Sequence, residues 1–331
     1  MGEDVLLVIV IAVALGFDFT NGFHDTANAV ATSVSTRAIS PRGAVLIAAG
    51  ANLAGAFLTT AVAKTVGSGI IDVDLATTEM LLAALFGAIA WNLLTWWLGL
   101  PSSSSHALIG GLVGAAMAQS WTDGVQWDSL VDKVVKPALV APVIAFGISF
   151  VALVVLYWVF VWINPGPGNR LFRLGQLGSG TWFAFTHGAN DAQKTMGVIT
   201  LALVLGGRQD EFDHIPTWVI VSSGLAIGLG TYVGGWRIMR TLGQRLYSME
   251  PIQGFTSQTM GGATIYVATI FGFPLSTTHV ISGAVMGAGA TKRLSAVRWG
   301  VARTIVYAWV LTLPAAALVA AAFYWPIVAI F

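Results

Sequence analysis

Four ionisable side chains lie within long apolar stretches of this sequence: Asp18, Asp25, Asp191 and Lys194. In hydrocarbon an ionised side chain costs about 2.5 to 3.5 kcal/mol on insertion scales, so one that is kept there needs a partner or a task. Asp25 and Asp191 stand in stretches rich in Gly, Asn and His, which we expect to interrupt a helix and free backbone groups for binding. The structural alternative is that each Asp caps a half-helix, because Asp is a preferred N-cap residue.

These stretches form a repeat. Phe19–Asp25 (FTNGFHD) aligns with Phe185–Asp191 (FTHGAND), and Phe, Thr, Gly and Asp are identical between the two copies. Asp18 has no acidic counterpart, since Ala184 stands at its position in the second copy. A structural and a functional role are therefore both open for Asp18.

A second repeated stretch is rich in hydroxyl groups. Gly99–His106 (GLPSSSSH) and Gly272–His279 (GFPLSTTH) each lie between two apolar runs, which predicts the tips of two re-entrant hairpins. A helix that begins at such a tip offers unpaired N–H groups, the positive end of its dipole and several hydroxyls, a combination suited to an oxyanion. Simple N-capping by Ser103 and Thr277 is the alternative, but capping needs one hydroxyl and not three in each half.

Two histidines recur beside these hydroxyls. His106 and His279 occupy the same repeat position, where ligation, proton handling or a hydrogen bond that fastens the tip are all open, and fastening is the role we expect. Asn92 and Gln258 are polar groups within apolar runs that either line a pathway or bond across helices.

The elements that position these residues must be membrane helices. Of 331 residues, 56% are hydrophobic and 9% are charged, whereas soluble domains carry about 25% charged residues. Apolar runs of about 20 residues, the length that crosses a hydrocarbon core, recur along the chain. The absence of cysteine excludes disulfides, thiolate metal sites and a cysteine nucleophile. No His-Glu-x-x-His spacing supports a membrane-embedded hydrolase, and a channel would not need paired acids.

We therefore predict an all-α integral membrane protein, an inverted repeat of two five-segment halves with broken helices and two re-entrant hairpins. The first half, residues 1–163, contains a broken helix at 5–36, a segment at 41–64, a hairpin at 79–120 and a segment at 136–163. The second half, residues 164–331, contains a broken helix at 171–206, a segment at 216–238, a hairpin at 252–291 and a segment at 299–331. An odd number of crossings in the first half starts the second half on the opposite side, as in many secondary transporters.

Basic residues predict the orientation, because cytoplasmic loops collect Lys and Arg. With both termini outside, the outer loops hold only Lys64, Lys133, Lys136 and Arg208. The inner loops then hold Arg37, Arg42, Arg170, Arg173, Arg237, Arg240, Arg245, Lys292, Arg293, Arg298 and Arg303. Both termini are thus expected on the extracellular or periplasmic side.

The stretches Gly22–Val30 (GFHDTANAV) and Gly188–Lys194 (GANDAQK), together with both hairpin tips, resemble the duplicated signature of the inorganic phosphate transporter (PiT) family. The likeness covers nearly the whole chain, in order. It implies a symporter of the cytoplasmic membrane, often a dimer, that carries phosphate inward with sodium, protons or as a metal–phosphate complex. It implies no enzymatic activity, no cofactor, no resident metal and no nucleic-acid partner.

By position, the resemblance implies phosphate-binding residues Asp25, Asn28, Ser103, Ser104, Ser105, Asn190, Asp191, Lys194, Ser276, Thr277 and Thr278. It assigns cation coupling to Asn21, His24, Asp25, Asn28 and Asp191, and a supporting role to His106 and His279. His24 stands where the second copy has Asn190. This variant is more similar to bacterial low-affinity transporters that use protons than to sodium-coupled relatives, so protons are favoured.

Charge gives a physical reason for symport. Two carboxylates, one ammonium group and a phosphate dianion would leave a closed site strongly negative, and buried unpaired charge is costly. In this hypothesis Asp25 and Asp191 each receive a proton or a cation, while Lys194 replaces the cation that Asn28 helps to hold. Sulfate is the alternative substrate, although it cannot donate a hydrogen bond to either carboxylate at neutral pH as hydrogen phosphate can.

Overall fold

The computed structural model describes residues 2–331, with side chains from residue 4 onward, and its regular elements there are helices apart from one bridge between Ile71 and Val125. The first half contains α1 (Gly2–Ser35), α2 (Pro41–Gly55), α3 (Ala61–Ser68), α4 (Thr78–Leu98), α5 (Ser104–Ser120), α6 (Trp127–Leu130) and α7 (Lys136–Val159). The second half contains α8 (Pro165–Leu205), α9 (Thr217–Val233), α10 (Trp236–Arg240), α11 (Pro251–Ile270), α12 (Thr277–Ala290) and α13 (Trp299–Ile330). A π-helical turn, Val131–Val135, joins α6 to α7, and another, Thr241–Leu246, extends α10.

The helices fit a protein that crosses the membrane several times. Four are long and apolar enough to span it: Asp4–Ser35, Thr78–Leu98, Trp127–Val159 and Trp299–Ile330. The pair α9 and α10 passes the same test together, with a bend of 60° between them. The prediction of an all-helical membrane protein is thus confirmed.

The predicted breaks in the motif helices are wrong. Both α1 and α8 run through their motifs as continuous helices, and the interruption lies in the next segment of each half instead. The segment predicted at 41–64 ends at Gly55 and resumes at Ala61, and the segment predicted at 216–238 breaks at Gly234, whose φ is +80°.

Other helices hold these breaks in place. The side chain of Gln193 on α8 accepts hydrogen bonds from the amides of Val62 (2.8 Å) and Ala63 (3.2 Å), the first turn of α3. A Cβ on Gly235, at the start of α10, would lie 2.5 Å from the carbonyl oxygen of Phe23 on α1. The breaks therefore depend on contacts with α1 and α8, which local sequence does not reveal.

Glycines in the motifs serve close helix crossings. A Cβ on Gly22 of α1 would lie 2.4 Å from the carbonyl oxygen of Ile227 on α9, and one on Gly188 of α8 would lie 2.2 Å from that of Asn52 on α2. Reciprocal contacts join Gly230 of α9 to Phe19 and Gly55 of α2 to Phe185. The first helix of each half thus packs against the second helix of the other half, with backbone touching backbone.

The helices α1 and α8 run in opposite directions. Asp4, near the beginning of α1, pairs with Arg208, just past the end of α8. At the other end, the Thr36 hydroxyl donates to the Gln176 side chain in the early part of α8 (2.7 Å). The motif of each helix therefore lies at the level where the two antiparallel helices cross.

Each predicted hairpin tip is a short turn between two helices. Gly99 ends α4 and Gly272 follows α11, both with positive φ (+68° and +74°). Ser103 caps α5 by accepting from the His106 amide (3.1 Å), and Ser276 caps α12 by accepting from the His279 amide (3.3 Å). The cap expected at Thr277 is thus one residue earlier, which releases the Thr277 hydroxyl for other contacts.

Candidate functional site

The two motif carboxylates meet at the centre of the molecule. One oxygen each from Asp25 and Asp191 and one ring nitrogen of His187 lie within 4.8 Å of one another. All three residues are at most 2% exposed. The repeat therefore brings its two acids into a single buried site, although α1 and α8 come from different halves of the chain.

Asp25 is surrounded by the neighbouring histidine and both hairpin tips. His24 Nδ1 lies 2.6 Å from one carboxylate oxygen, and the Ser104 hydroxyl donates weakly to the same oxygen at 3.4 Å. The Thr277 hydroxyl donates to the other oxygen at 3.5 Å. These long hydroxyl contacts place donors from both tips around the carboxylate without holding it tightly.

Asp191 has a stronger positive neighbourhood. Its carboxylate forms an ion pair with Lys194, one helical turn away. Its second oxygen lies 3.2 Å from His187 Nε2, and His187 Nδ1 lies 2.9 Å from the Asn52 side-chain oxygen. His187 is not among the residues for which the sequence predicts a role. A signal was available, because a histidine within an apolar run replaces Asn21 of the first copy.

Asn28 and Lys194 occupy equivalent repeat positions, and each reaches the hairpin tip of the other half. The Asn28 amide donates to the hydroxyls of Thr277 (3.3 Å) and Thr278 (2.8 Å). The Lys194 ammonium donates to the Ser105 hydroxyl of the first-half tip, and also to the Leu275 carbonyl (3.0 Å) of the tip of its own half. The two tips are therefore tied to the helix of the opposite half at corresponding points.

His24 and Asn190, the next equivalent pair, hold the tip of their own half. His24 Nε2 lies 3.1 Å from the Thr95 hydroxyl and 3.3 Å from that of Ser102. The Asn190 amide donates to the Thr269 hydroxyl (2.9 Å) and to the Phe273 carbonyl (3.0 Å). Each tip is thus fastened to the motif helix of its own half.

His106 and His279 join the two tips to each other. Their rings meet edge to face at 4.7 Å, and His279 also stacks on Trp309 of α13 at 4.0 Å. His279 Nδ1 lies 3.3 Å from the Ala138 carbonyl of α7. Neither has a hydrogen bond to the central carboxylates among the described residues, so a direct functional role for them stays a prediction.

The hydroxyls of the tips divide into two groups. Ser103 and Ser276 are used as caps, whereas Ser104, Ser105, Thr277 and Thr278 contact the carboxylates, Lys194 or Asn28. All are buried. The first-turn amides of α5 and α12 have no partner within their own helix, and the dipoles favour negative charge there. The site therefore combines donors suited to an oxyanion with acids that require a positive charge.

The family model that matches this chain is described as the phosphate transporter family and covers residues 21–166 and 163–320. A probable low-affinity inorganic phosphate transporter of Mycobacterium tuberculosis is 50% identical over 320 residues, which are 96% of this chain and 77% of the relative. A protein of the same description from Bacillus subtilis is 43% identical over 328 residues, covering 97% and 98%. A solved structure described as the sodium-dependent phosphate transporter is similar with a TM-score of 0.87 and 26% identity, covering 99% of this chain and all of the other.

Proposed function

This chain belongs to the phosphate transporter family, and from that premise we propose that it imports inorganic phosphate across the cytoplasmic membrane in symport with protons. The observation that carries this proposal is the buried centre where Asp25, Asp191 and Lys194 face two hydroxyl-rich helix starts. The activity is transport and not catalysis. No observation favours sulfate over phosphate, so phosphate is the substrate we propose.

Phosphate would bind between the two tips. Its oxygens would accept from the Ser104, Ser105, Thr277 and Thr278 hydroxyls, from the first amides of α5 and α12, and from Lys194. Asn28 and Asn190 would complete the site by holding the tips in place. A hydrogen phosphate can also donate its proton to Asp25, which a fully ionised anion cannot do.

Coupling follows from charge. Asp25 and Asp191 oppose Lys194 with an excess of negative charge before any anion enters, and a phosphate dianion adds two negative charges. Because unpaired charge is costly when it is buried, the closed site is stable only when phosphate and positive charge enter together. Protons delivered to the carboxylates, with His24 beside Asp25 and His187 beside Asp191 as relays, supply that charge.

The continuous helices favour protons over sodium. Sodium sites in transporters with broken helices use backbone carbonyls from the unwound turns. In this chain α1 and α8 are helical through both motifs, so their carbonyl groups are occupied within the helix. A sodium ion would then need several oxygens from side chains and from the turns of the tips, whereas a proton needs a single oxygen.

The experiment is uptake of labelled phosphate by proteoliposomes that contain the purified protein. We expect accumulation when the outside is acidic, little response to a sodium gradient, and weak competition by sulfate. Asp25→Asn removes an acid that must be neutralised in each cycle, so it is expected to abolish gradient-driven accumulation. The exposed variant Asp210→Asn changes the charge equally and serves as the matched control.

Two results would contradict the proposal. Accumulation driven by a sodium gradient at equal pH would show that the coupling ion is sodium and not the proton. Full accumulation by Asp25→Asn would show that the Asp25 carboxylate takes no part in coupling. Repeating the assay with Mg²⁺ present or chelated distinguishes free phosphate from a metal–phosphate complex as the transported species.

A further inference from the structure

Asp18 is a buried acid that the phosphate site does not use. It lies two helical turns before Asp25 on α1 and is fully buried. Within the described residues, neither carboxylate oxygen has a hydrogen-bond partner. An acid in this position is unexpected as a purely structural group, because buried polar atoms are normally paired.

The groups beside Asp18 are also unpartnered. The side chains of Asn21, one turn further along α1, and Thr195, on α8, lie close enough to the Asp18 carboxyl to interact with it, but none of these contacts has the distance and angles of a well-formed hydrogen bond. Both polar atoms of Asn21 and the Thr195 hydroxyl lack partners in the described part of the chain, and both residues are buried. Three neighbouring side chains from two helices thus bring polar atoms without well-formed hydrogen bonds into one buried place.

Among the described residues, no basic side chain forms an ion pair with Asp18. The charged groups of α8 that face it are Asp191 and Lys194, which are already paired with each other. On α1 itself the titratable neighbours are His24 and Asp25.

The other helices packed on α1 add little charge near this position. The helix α4 contributes Glu79, at its far amino-terminal end, and α9 contributes Tyr232, which is exposed. The basic residues on these elements lie toward the other end of α1: Arg42 at the start of α2, Arg170 and Arg173 early in α8, Arg237 and Arg240 on α10, and Arg245 in the π-helical turn that follows. The remaining titratable groups are His187 of α8, which lies beside Asp191, and the tip histidines His106 and His279. An ionised Asp18 would therefore be buried without a countercharge.

The position of Asp18 links it to the phosphate site. Asp18, Asn21, Asp25 and Asn28 follow at intervals of three and four residues and so share one face of α1. Seven residues of helix place Asp18 about 10 Å from Asp25 along the axis, toward the amino terminus. In the proposed orientation that end faces outward, the side from which phosphate and protons enter.

We propose that Asp18, with Asn21 and Thr195, is a second proton-binding site of the transport cycle. A proton from the outer solution adds to a carboxylate oxygen when the site is open outward, and the neutral acid is carried into the closed state. The proton leaves to the cytoplasm when the site opens inward. The inference rests on the proposed phosphate symport and adds a coupling residue to it.

A proton fits this place better than a metal ion. Both α1 and α8 are continuous here, so the available oxygens are those of the carboxyl, the Asn21 amide and the Thr195 hydroxyl. A neutral carboxyl needs one acceptor for its proton, which either neighbour can supply. Ala184 at the equivalent place in α8 makes this a feature of one half only.

The test compares wild type with Asp18→Asn, which has the size of the protonated acid and cannot release a proton. Two assays are run in proteoliposomes: accumulation of labelled phosphate driven by a pH gradient, and exchange of labelled for unlabelled phosphate at equal pH. Each coupled proton supports about a tenfold phosphate gradient per pH unit. We expect Asp18→Asn to lose about that factor in accumulation while it keeps exchange, and to shift the pH dependence of exchange, to which Asp25 and Asp191 still contribute.

The controls separate the possible failures. Asp74→Asn removes an exposed loop acid and should leave both assays unchanged. Asp18→Glu keeps a titratable carboxyl and should keep accumulation with a shifted pH dependence, and this variant carries the test if Asp18→Asn does not fold. Thr195→Val should shift the same pH dependence without abolishing exchange.

Several results would overturn the inference. Unchanged pH-driven accumulation by Asp18→Asn would exclude coupling at this residue, as would an unshifted pH dependence in Asp18→Glu. A folded Asp18→Asn protein that loses exchange together with accumulation would give Asp18 a role in carrier movement instead. If wild type itself neither exchanges nor accumulates phosphate, the proposed function has failed and not this inference alone.

Discussion

At the scale of single residues, the charges at the centre differ between the halves. Asp191 has Lys194 as a fully buried ion partner, whereas the equivalent of that lysine beside Asp25 is Asn28. A permanent positive charge on one side means that the two acids do not require the same supply of protons. The asymmetry was visible in the sequence, but the ion pair itself depends on how α8 faces the tips.

The buried ion pair gives a stability prediction. Removing one partner of a buried pair typically costs about 3 to 5 kcal/mol, whereas replacing both with neutral groups is often nearly neutral. We therefore expect Lys194→Met to lower the thermal unfolding midpoint in detergent strongly, and Asp191→Asn combined with Lys194→Met to recover most of it. Both variants should lose phosphate transport. Equal unfolding midpoints for the single and double variants would contradict the pairing.

At the scale of elements, the molecule depends on helix crossings in which no side chain fits. Gly22 and Gly188 lie at equivalent crossings, where a Cβ would stand 2.4 Å and 2.2 Å from a backbone carbonyl oxygen of the partner helix. A backbone atom cannot move aside as a flexible side chain can, so the two helices would have to separate. The central acids lie one turn beyond these glycines and would be displaced with them.

Gly22→Ala and Gly188→Ala are therefore expected to be destabilising by about 1 to 3 kcal/mol, the usual cost of overpacking, and to lower phosphate transport. Gly16→Ala on the same helix is the matched control, since a Cβ there meets nothing within 4 Å. Thermal unfolding and uptake measured on the three variants check this. Similar behaviour of Gly16→Ala and Gly22→Ala would show that helix propensity and not the crossing is responsible.

At the scale of the whole molecule, contacts sort the loops into two ends. Asp4 lies with Arg208 at one end, where Asp72 also bonds to Gly124. At the other end Lys292 pairs with Glu250, and Arg298 bonds to Leu246. The basic residues concentrate at the second end, which supports the orientation with both termini outside.

This orientation is testable because the chain has no cysteine. Single cysteines at the exposed positions Asp74 and Asp210 should react with a membrane-impermeant maleimide in intact cells, since both lie at the predicted outer end. Cysteines at Arg170 and Arg293, also exposed, should react only after the cells are opened. The reverse labelling pattern would show that both termini face the cytoplasm. The side from which phosphate enters the site would then have to be reassigned.

Composition and local motifs are enough to predict the class of protein and the residue types of the site. Composition and long apolar runs show that the chain lies in a membrane. The duplicated local motifs identify Asp25, Asp191 and the hydroxyl-rich tips without knowledge of the fold. The all-helical membrane fold and the family were therefore predictable. The continuity of α1 and α8 could not be predicted. Their Gly and Asn residues suggest helix breaks, whereas in the structure the glycines allow close packing against α9 and α2.

Which of these groups meet depends on how the helices pack in three dimensions. His187 joins Asp25 and Asp191, Asn28 and Lys194 cross to opposite tips, and Asp18 is left with unpartnered neighbours. Each of these contacts involves residues from different helices, so no single stretch of sequence reveals it. The local motifs predict which residue types the site contains, whereas the contacts between them depend on how the helices cross.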